Sequence, residues 1–371
     1  MIHEKKMTVL NPSVAAEGEQ PFTDYNISIP DGLDKINSET VNSEGCPQGR
    51  KRGTMNNIMN TIIQKNEPTI IAVDHGFGNI KTAHCCFRTG VTAYEKKPIF
   101  TNEMLVYNEK YYIIGEEHKE FVPDKMSDPD YYILTLAAIA RELYLQRCTS
   151  ARVYLAVGLP LTWVGEQRKE FKAYLLQNET ADFNYKGTDY HVEFAGASVY
   201  PQGFAAIAGS IRRFQGMHML CDIGNGTMNV MRINDGKAVQ TECYTEQYGT
   251  RQCILAIRES LMQKCHVKLD EPIIERVLRF KTADISQRIL DVITEGTTIY
   301  AEGIMRKLRE HDYNSEIMRL YVMGGGGCLI KNFGSYDPDR VTFNEDIHAS
   351  AIGYEACARH ELERIKAGAR K

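Results

Sequence analysis

The chain has 371 residues, 43% of them hydrophobic and 25% charged, with a formal charge of -4; it is long enough for two or more domains and has an ordinary globular composition. A slightly acidic chain has no global pull toward nucleic acid, and no apolar run approaches the length that crosses a bilayer. The ten cysteines are scattered, with Cys85 and Cys86 adjacent and no Cys-x-x-Cys spacing, so we expect reduced thiols, no signal peptide and a cytoplasmic protein.

Residues 1–66 are rich in Asn, Ser, Glu, Gly and Pro and carry the basic cluster Arg50-Lys51-Arg52. We expect a disordered extension there, with the cluster on a solvated tail and the fold needing nothing before about residue 66. From Thr69 the pattern predicts strands at Ile70–Asp74, Ile80–Phe87 and Val91–Glu95. A hairpin follows, Met104–Tyr107 with Tyr111–Ile114, turning at Asn108-Glu109. Asp130–Gln146 is predicted as a helix, with Tyr132, Leu136, Ile139 and Leu143 on one face. Arg152–Gly158 reads as a central strand stopped by Gly158-Leu159-Pro160, and a helix from about Gly165 to Gln177 buries Phe171 and Leu175. Next come a hairpin over Phe183–Phe194 turning at Lys186-Gly187, a short strand at Ser198–Tyr200 and a small-residue helix over Gln202–Phe214. The second half opens with strands at Met219–Ile223 and Val230–Ile233. It continues with a return strand at Ala238–Tyr244, a helix from Thr250 carrying Ile254, Ile257 and Leu261, and helices over 271–280 and 284–311. A strand at Leu320–Met323, the glycines Gly324 to Gly327 and a helical tail starting near Glu345-Asp346 complete the chain.

Two stretches share one design. Asp74-His75-Gly76-Phe77-Gly78-Asn79-Ile80-Lys81 and Asp222-Ile223-Gly224-Asn225-Gly226-Thr227-Met228-Asn229 each place an aspartate at the end of an apolar strand, then Gly-x-Gly, then a second strand. A Walker A loop or a dinucleotide fingerprint would continue into a helix, so neither fits. Residues without a Cβ let backbone N–H groups approach an anion closely, and an aspartate beside that anion can hold a hydrated Mg²⁺. Gly324 to Gly327, between a strand and a helix, are costly in backbone entropy and point to a close approach of backbone to a ligand. The order of elements favours α/β layers, with helices flanking mixed sheets and the ligand between two halves at the strand ends.

These motifs carry a resemblance. Asp74 to Lys81 resembles the first phosphate loop of the actin-like ATPases, Asp222 to Asn229 the second, and Tyr321 to Gly327 the adenosine loop. Val153 to Pro160 is similar to the segment joining the two halves. Asp-x-Gly-x-Gly-Asn-x-Lys and Gly158-Leu159-Pro160-Leu161-Thr162 look most like the bacterial plasmid-segregation actins of the ParM type, and Glu345 to Gly353 is similar to their closing helix. The resemblance spans about Thr69 to Arg359.

It implies an actin-like two-lobed fold, each lobe a mixed sheet flanked by helices. The extension would occupy 1–66, the first lobe 67–201, the second lobe 202–344, and a C-terminal helix, 345–371, would return to the first lobe. The implied ligand is ATP, or GTP, with Mg²⁺. Asp74, Gly76, Gly78, Asn79 and Lys81 would hold it from one side and Gly224, Asn225, Gly226 and Thr227 from the other, with Gly324, Gly325, Gly326 and Gly327 at the nucleoside. Asp74 and Asp222 would hold the metal through water; Arg251 and Arg258 read first as exposed helix arginines, with a place beside adenine as the alternative. Hydrolysis needs a group that orients water. The acid expected after Leu159-Pro160-Leu161-Thr162 is replaced by Trp163, so the catalytic assignment falls to Glu166 and Gln167, with Asp222.

The implied activity is an ATPase that polymerises into head-to-tail filaments on binding ATP·Mg²⁺. It would segregate plasmid DNA through a small DNA-binding adaptor on a plasmid centromere, touching neither nucleic acid nor membrane directly. A small-molecule kinase on the same scaffold is the alternative, although no Asp outside the loops presents itself as its base. A chaperone-type ATPase would need a substrate domain after the closing helix, for which we expect no room. A protein that binds nucleotide and scarcely cleaves it is kept open by Trp163.

Overall fold

The computed structural model describes residues 67–99, 101–116 and 125–369. The expectation of a disordered extension over 1–66 lies outside these residues.

The first sheet has nine strands: β1 (Thr69–His75), β2 (Asn79–Lys81), β3 (Cys86–Arg88), β4 (Val91–Tyr94), β5 (Met104–Tyr107), β6 (Lys110–Ile114), β7 (Ser150–Leu159), β8 (Thr180–Tyr185) and β9 (Thr188–Pro201). Their order is β3-β2-β1-β7-β9-β8-β5-β6-β4. β1, β7 and β9 run parallel at its centre, and the flanking pairs are antiparallel. β3 and β4 end opposite sides of this order, yet only Thr89 and Gly90 separate them in the chain. Nine flat strands would be roughly 38 Å wide, whereas the link between β3 and β4 spans at most about 11 Å. The sheet therefore curls back on itself, with joints of only two residue pairs between β5 and β8 and between β1 and β2.

Helix α1 (Asp130–Leu145) lies in that curl, against β1, β2, β6 and β8. Periodicity predicts one buried face, but twelve of its sixteen residues are buried, including Ala137, Ala138 and Ala140 on the other sides. A helix wrapped by a sheet must be apolar or small all round. Helix α2 (Val164–Leu175) packs beside α1 on the same face of the sheet, where Tyr132 N donates to Tyr174 Oη at 2.8 Å, and it buries Phe171 and Leu175 as expected.

Three expectations are corrected here. Ile80–Phe87 is not one strand: β2 and β3 form an antiparallel hairpin, because Thr82 N donates to Cys85 O and Cys85 N to Thr82 Oγ1, both at 2.8 Å. The buried carboxylate of Glu142 on α1 fixes that turn, accepting from Thr82 Oγ1 and from His84 N. Ser198–Tyr200 is not separate but the end of β9, which carries on past a bulge, with Gly196 at a φ of 147°, to pair with β7 in parallel. Gln202–Phe214 is helical only over α3 (Phe204–Ala208), because Gly209 and Ser210 interrupt it before a 3-10 turn at Ile211–Arg213.

The second sheet contains β10 (Met217–Ile223), β11 (Met228–Asn234), β12 (Lys237–Glu246), β13 (Arg319–Met323) and β14 (Val341–Phe343), in the order β12-β11-β10-β13-β14. The three-residue β14 escaped the sequence reading. Helices α4 (Thr250–Cys265), α5 (Glu271–Phe280), α6 (Gln287–Glu310) and α7 (Gly327–Phe333) flank this sheet, sharing a core with Ile254, Ile257, Ile274, Val277, Ile293 and Leu308. Helix α8 (Ala349–Ala369) packs on α3 and on β1 and β7 of the first sheet. Gly353 permits the contact with α3, since a Cβ there would sit 2.3 Å from the Ala205 carbonyl oxygen. Two mixed sheets flanked by helices are thus joined at a seam formed by α3 and α8. Among the described residues no helix is long and apolar enough to cross a membrane.

Candidate functional site

β1 and β10 end in the same way. Asp74 stands opposite Lys81 in the β1–β2 register, and Asp222 opposite Asn229 in the β10–β11 register. Both hairpin turns face one cleft between the lobes, with about 960 Å³ of open space. Asp74, Gly76, Phe77, Gly78, Asn79 and Lys81 line it from the first lobe, and Asp222 with Gly224 to Thr227 from the second. Gly324, Gly325 and Gly326 also line it, at the carboxyl end of β13.

The second loop is oriented by α4. Thr250 N donates to Gly224 O at 3.1 Å, Arg251 N to Asn225 O at 2.9 Å, and Gln252 Nε2 to Gly226 O at 3.2 Å. In a trans peptide the C=O and N–H point in opposite directions. With the Gly224 and Asn225 carbonyls turned to α4, the N–H groups of Asn225 and Gly226 turn to the cleft, and they have no partner among the described residues. Two successive N–H groups of this kind form an anion-binding concavity.

Several glycines do other work than expected. Gly76 N donates to Asp74 O at 3.0 Å, Gly224 N to Thr227 O at 2.8 Å and Gly326 N to Ile223 O at 2.8 Å, so these donors close turns. Gly324 sits at a φ of 82°, and a Cβ there would lie 2.4 Å from Asp222 Oδ1. At Gly78 a Cβ would lie 2.7 Å from the Asn225 side chain, so the two loops touch across the cleft. Gly327 N closes a turn onto Gly324 O, and Gly327 is not part of the lining.

The charges are concentrated. Lys81 Nζ lies 3.2 Å from Asp74 Oδ2, and Gln202 Nε2 donates to Asp74 Oδ1 at 3.1 Å. Burial and the neighbouring Asp74 push the Asp222 carboxyl up to about 6, against the opposing pull of Lys81 and Asn229. Burial works against the Lys81 ammonium, but Asp74 and Asp222 outweigh it and raise its pKa. Two buried carboxylates facing one space repel each other, and a cation between them relieves that repulsion. Among the described residues no three His, Cys, Asp or Glu side chains converge to cage a metal. The donor set therefore suits a hard cation that keeps most of its water, as Mg²⁺ does.

Other predicted residues lie elsewhere. Glu166 is exposed on the first turn of α2, and Gln167 is turned inward with Oε1 buried and unpartnered among the described residues; neither lines the cleft. Trp163 packs edge-on against Phe77 with ring centroids 6.5 Å apart. Arg251 pairs with Glu271 at 2.7 Å and Arg258 approaches the same carboxylate at 3.9 Å, so both tie α4 to α5. The cleft wall there is formed by Glu275, Leu278 and Arg279 of α5 with Ile254 of α4. Gln202, which the sequence reading missed, follows the carboxyl end of β9. The strand-end rule that singled out Asp74 and Asp222 points equally to it.

Residues 72–204 match the family model "Actin like proteins N terminal domain". No curated protein sequence matches the chain. Among solved structures, a 15-stranded ParM filament from Clostridium botulinum aligns with a TM-score of 0.64 and 18% identity, covering 78% of this chain and 99% of that one. An archaeal actin homologue, Ta0583, in complex with ADP aligns at 0.62 and 18%, covering 79% and 99%. ParM from Bacillus thuringiensis with ATP aligns at 0.56 and 14%, covering 80% and 98%. The chain is therefore a two-lobed protein of actin-like fold, with an actin-like N-terminal domain at residues 72–204.

Proposed function

We propose that the cleft binds a nucleoside triphosphate, ATP or GTP, with Mg²⁺, and that the chain assembles into filaments in response. The observation that carries this reading is the pair of Asn225 and Gly226 N–H groups aimed into a cleft that also presents Asp74, Lys81 and Asp222. The second loop offers these two donors and the first offers Lys81 as a point charge. Asp74 and Asp222 hold the Mg²⁺ through its waters, and Gly324 and Gly325 give the sugar and α-phosphate close access to backbone. When bound, Mg²⁺ supplies charge neutralisation for the phosphates. Ile254 and Leu278 offer the base an apolar wall. We assign the first lobe to 67–201, the second to 202–344, and 345–371 to a helix returning to the first.

Closure of the lobes on the nucleotide favours the conformation that adds to a filament, and a head-to-tail contact that fails to close into a ring gives a helical polymer. By resemblance to the ParM type, the cytoplasmic filament segregates a plasmid through a small DNA-binding adaptor. Addition of ATP·Mg²⁺ or GTP·Mg²⁺ should raise light scattering and produce a sedimenting polymer. Protein that stays in the supernatant at every concentration removes the reading.

Trp163 supports a second reading on hydrolysis. The site expected to bear an acid carries an indole packed on Phe77, and Glu166 faces solvent. Of Glu166, Gln167 and Asp222 only Asp222 lines the cleft, so we expect slow turnover, and phosphate release should lag far behind assembly. Release as fast as assembly would show that another group orients the water.

A further inference from the structure

Tyr354 lies one turn after Ser350 on α8 and is wholly buried. Its ring stacks on Tyr200 of β9 with centroids 6.2 Å apart. Its hydroxyl sits so close under β7 that a Cβ at Gly158 would lie 2.0 Å from the oxygen. A buried tyrosine hydroxyl ordinarily has a hydrogen-bond partner, yet this one is aligned with none: the Ser350 hydroxyl and the Asp74 carboxylate are within its reach, but neither completes a hydrogen bond of good geometry. The polar groups that face it are the carboxylates of Asp74 and Asp222 and the hydroxyl of Ser350. All three line the cleft. A phenol carries one O–H donor and an ionised carboxylate only accepts, so the hydroxyl faces the acids as a donor. Asp74 already accepts from Gln202 on Oδ1 and from Lys81 on Oδ2, and each oxygen keeps further accepting capacity.

We propose that Tyr354 is a positioning residue for the cation in the cleft, its hydroxyl donating from beneath to the Asp74 carboxylate when nucleotide and Mg²⁺ are bound. The proposal rests on the reading of the cleft as a nucleotide·Mg²⁺ site. It explains why position 158 is glycine, since the phenol oxygen takes the space a side chain would need. It also gives α8 a direct connection to the ligand: Tyr354 of α8, held by its stack on Tyr200 of β9, faces the Asp74 carboxylate of β1. Groups that hydrogen-bond a metal-holding carboxylate fix its direction, and their loss weakens metal binding roughly 10–100-fold.

Tyr354→Phe removes only the oxygen and keeps the ring stack. Its test is ATP affinity by titration calorimetry, with Mg²⁺ and with EDTA, together with the Tm of the free protein. The expected result is an affinity for ATP·Mg²⁺ about ten-fold weaker than that of the parent. Affinity in EDTA should be unchanged, and the free Tm should be equal or higher, because the free protein loses no hydrogen bond. An unchanged ATP·Mg²⁺ affinity overturns the proposal. So does an equal loss with and without Mg²⁺, and so does a lower free Tm, which would mark the hydroxyl as structural. A parent protein that binds neither ATP nor GTP overturns the nucleotide reading and this one together. A parent that binds, beside a variant that binds equally well, overturns this one alone.

Discussion

Lys125 is the least expected side chain beside the cleft. It is 1% exposed, donates to the His75 carbonyl on the core side of the first loop, and lies over the Phe77 ring at 4.9 Å and the Tyr131 ring at 5.7 Å. No carboxylate pairs with it among the described residues. Beneath it, Thr135 Oγ1 donates to Tyr131 O and so accepts from His75 Nε2 at 2.8 Å. Burial and the Lys125 charge bring His75 down to about 3, so its ring is neutral. Burial lowers Lys125 itself to about 8, with Asp74 pulling it up and Lys81 pushing it down. Its folded pKa thus lies below its ordinary 10.5. Between those two values the unfolded chain binds more protons than the folded one, and the stability this group contributes rises with pH. Urea unfolding of the parent and of Lys125→Met at pH 7.5 and 9.5 should reveal it. The parent should gain on the variant by on the order of 1–2 kcal/mol across that interval. A difference that stays flat would mean that the ammonium is not desolvated. Nothing in the sequence around Lys125 marks it, because its burial is imposed by Phe77 and Tyr131, which reach it only in the folded chain.

Helix α1 shows how far a pattern of residues carries at the scale of an element. The spacing of Tyr132, Leu136, Ile139 and Leu143 locates the helix within a residue of its observed end, since apolar side chains repeating every three or four residues need a partner surface. It does not reveal that the sheet closes around the helix, because Ala137, Ala138 and Ala140 read equally well as an indifferent outer face. Ala138→Leu tests the difference. On a solvated face it should be neutral, but inside the curl it should lower stability by about 1–3 kcal/mol through overpacking, measured by chemical unfolding. The other departures have the same physical origin. The break between β2 and β3 depends on Glu142, sixty residues away from Thr82, and β14 is too short to carry a period of its own. By contrast, the Asp-headed hairpins were legible because their signal is local. An apolar strand, an acid at its end and closely spaced glycines are set by neighbouring residues. The roles of those glycines were not legible, since whether a given N–H closes a turn or faces the cleft depends on where α4 packs.

At the scale of the whole molecule, one of the contacts between the two lobes lies across the cleft. Gly78 of the first loop comes so near Asn225 of the second that a Cβ would stand 2.7 Å from its side chain. The Asn225 side chain is in turn held to α4, its Nδ2 donating to Thr250 Oγ1 at 3.3 Å, so it cannot simply swing aside. The φ of Gly78 is not in the left-handed region, and a larger residue there meets no backbone strain, only the opposite lobe. Gly78→Val should therefore act as a wedge. The free protein should relieve this clash by parting the lobes at the contact, with little loss of stability. Nucleotide affinity should fall at least about ten-fold, and small-angle scattering of the loaded protein should keep the larger radius of the unloaded form. Under the proposed coupling of assembly to closure, assembly should fail for the same reason. Asn225→Gly removes the atoms that the valine meets and leaves the Asn225 N–H in place, so the double variant should recover most of the lost affinity. That recovery would appear as a coupling of about 0.5–3 kcal/mol in the mutant cycle. If the double variant is no better than Gly78→Val alone, the damage lies within the first loop, and contact between the lobes at this point does not govern closure.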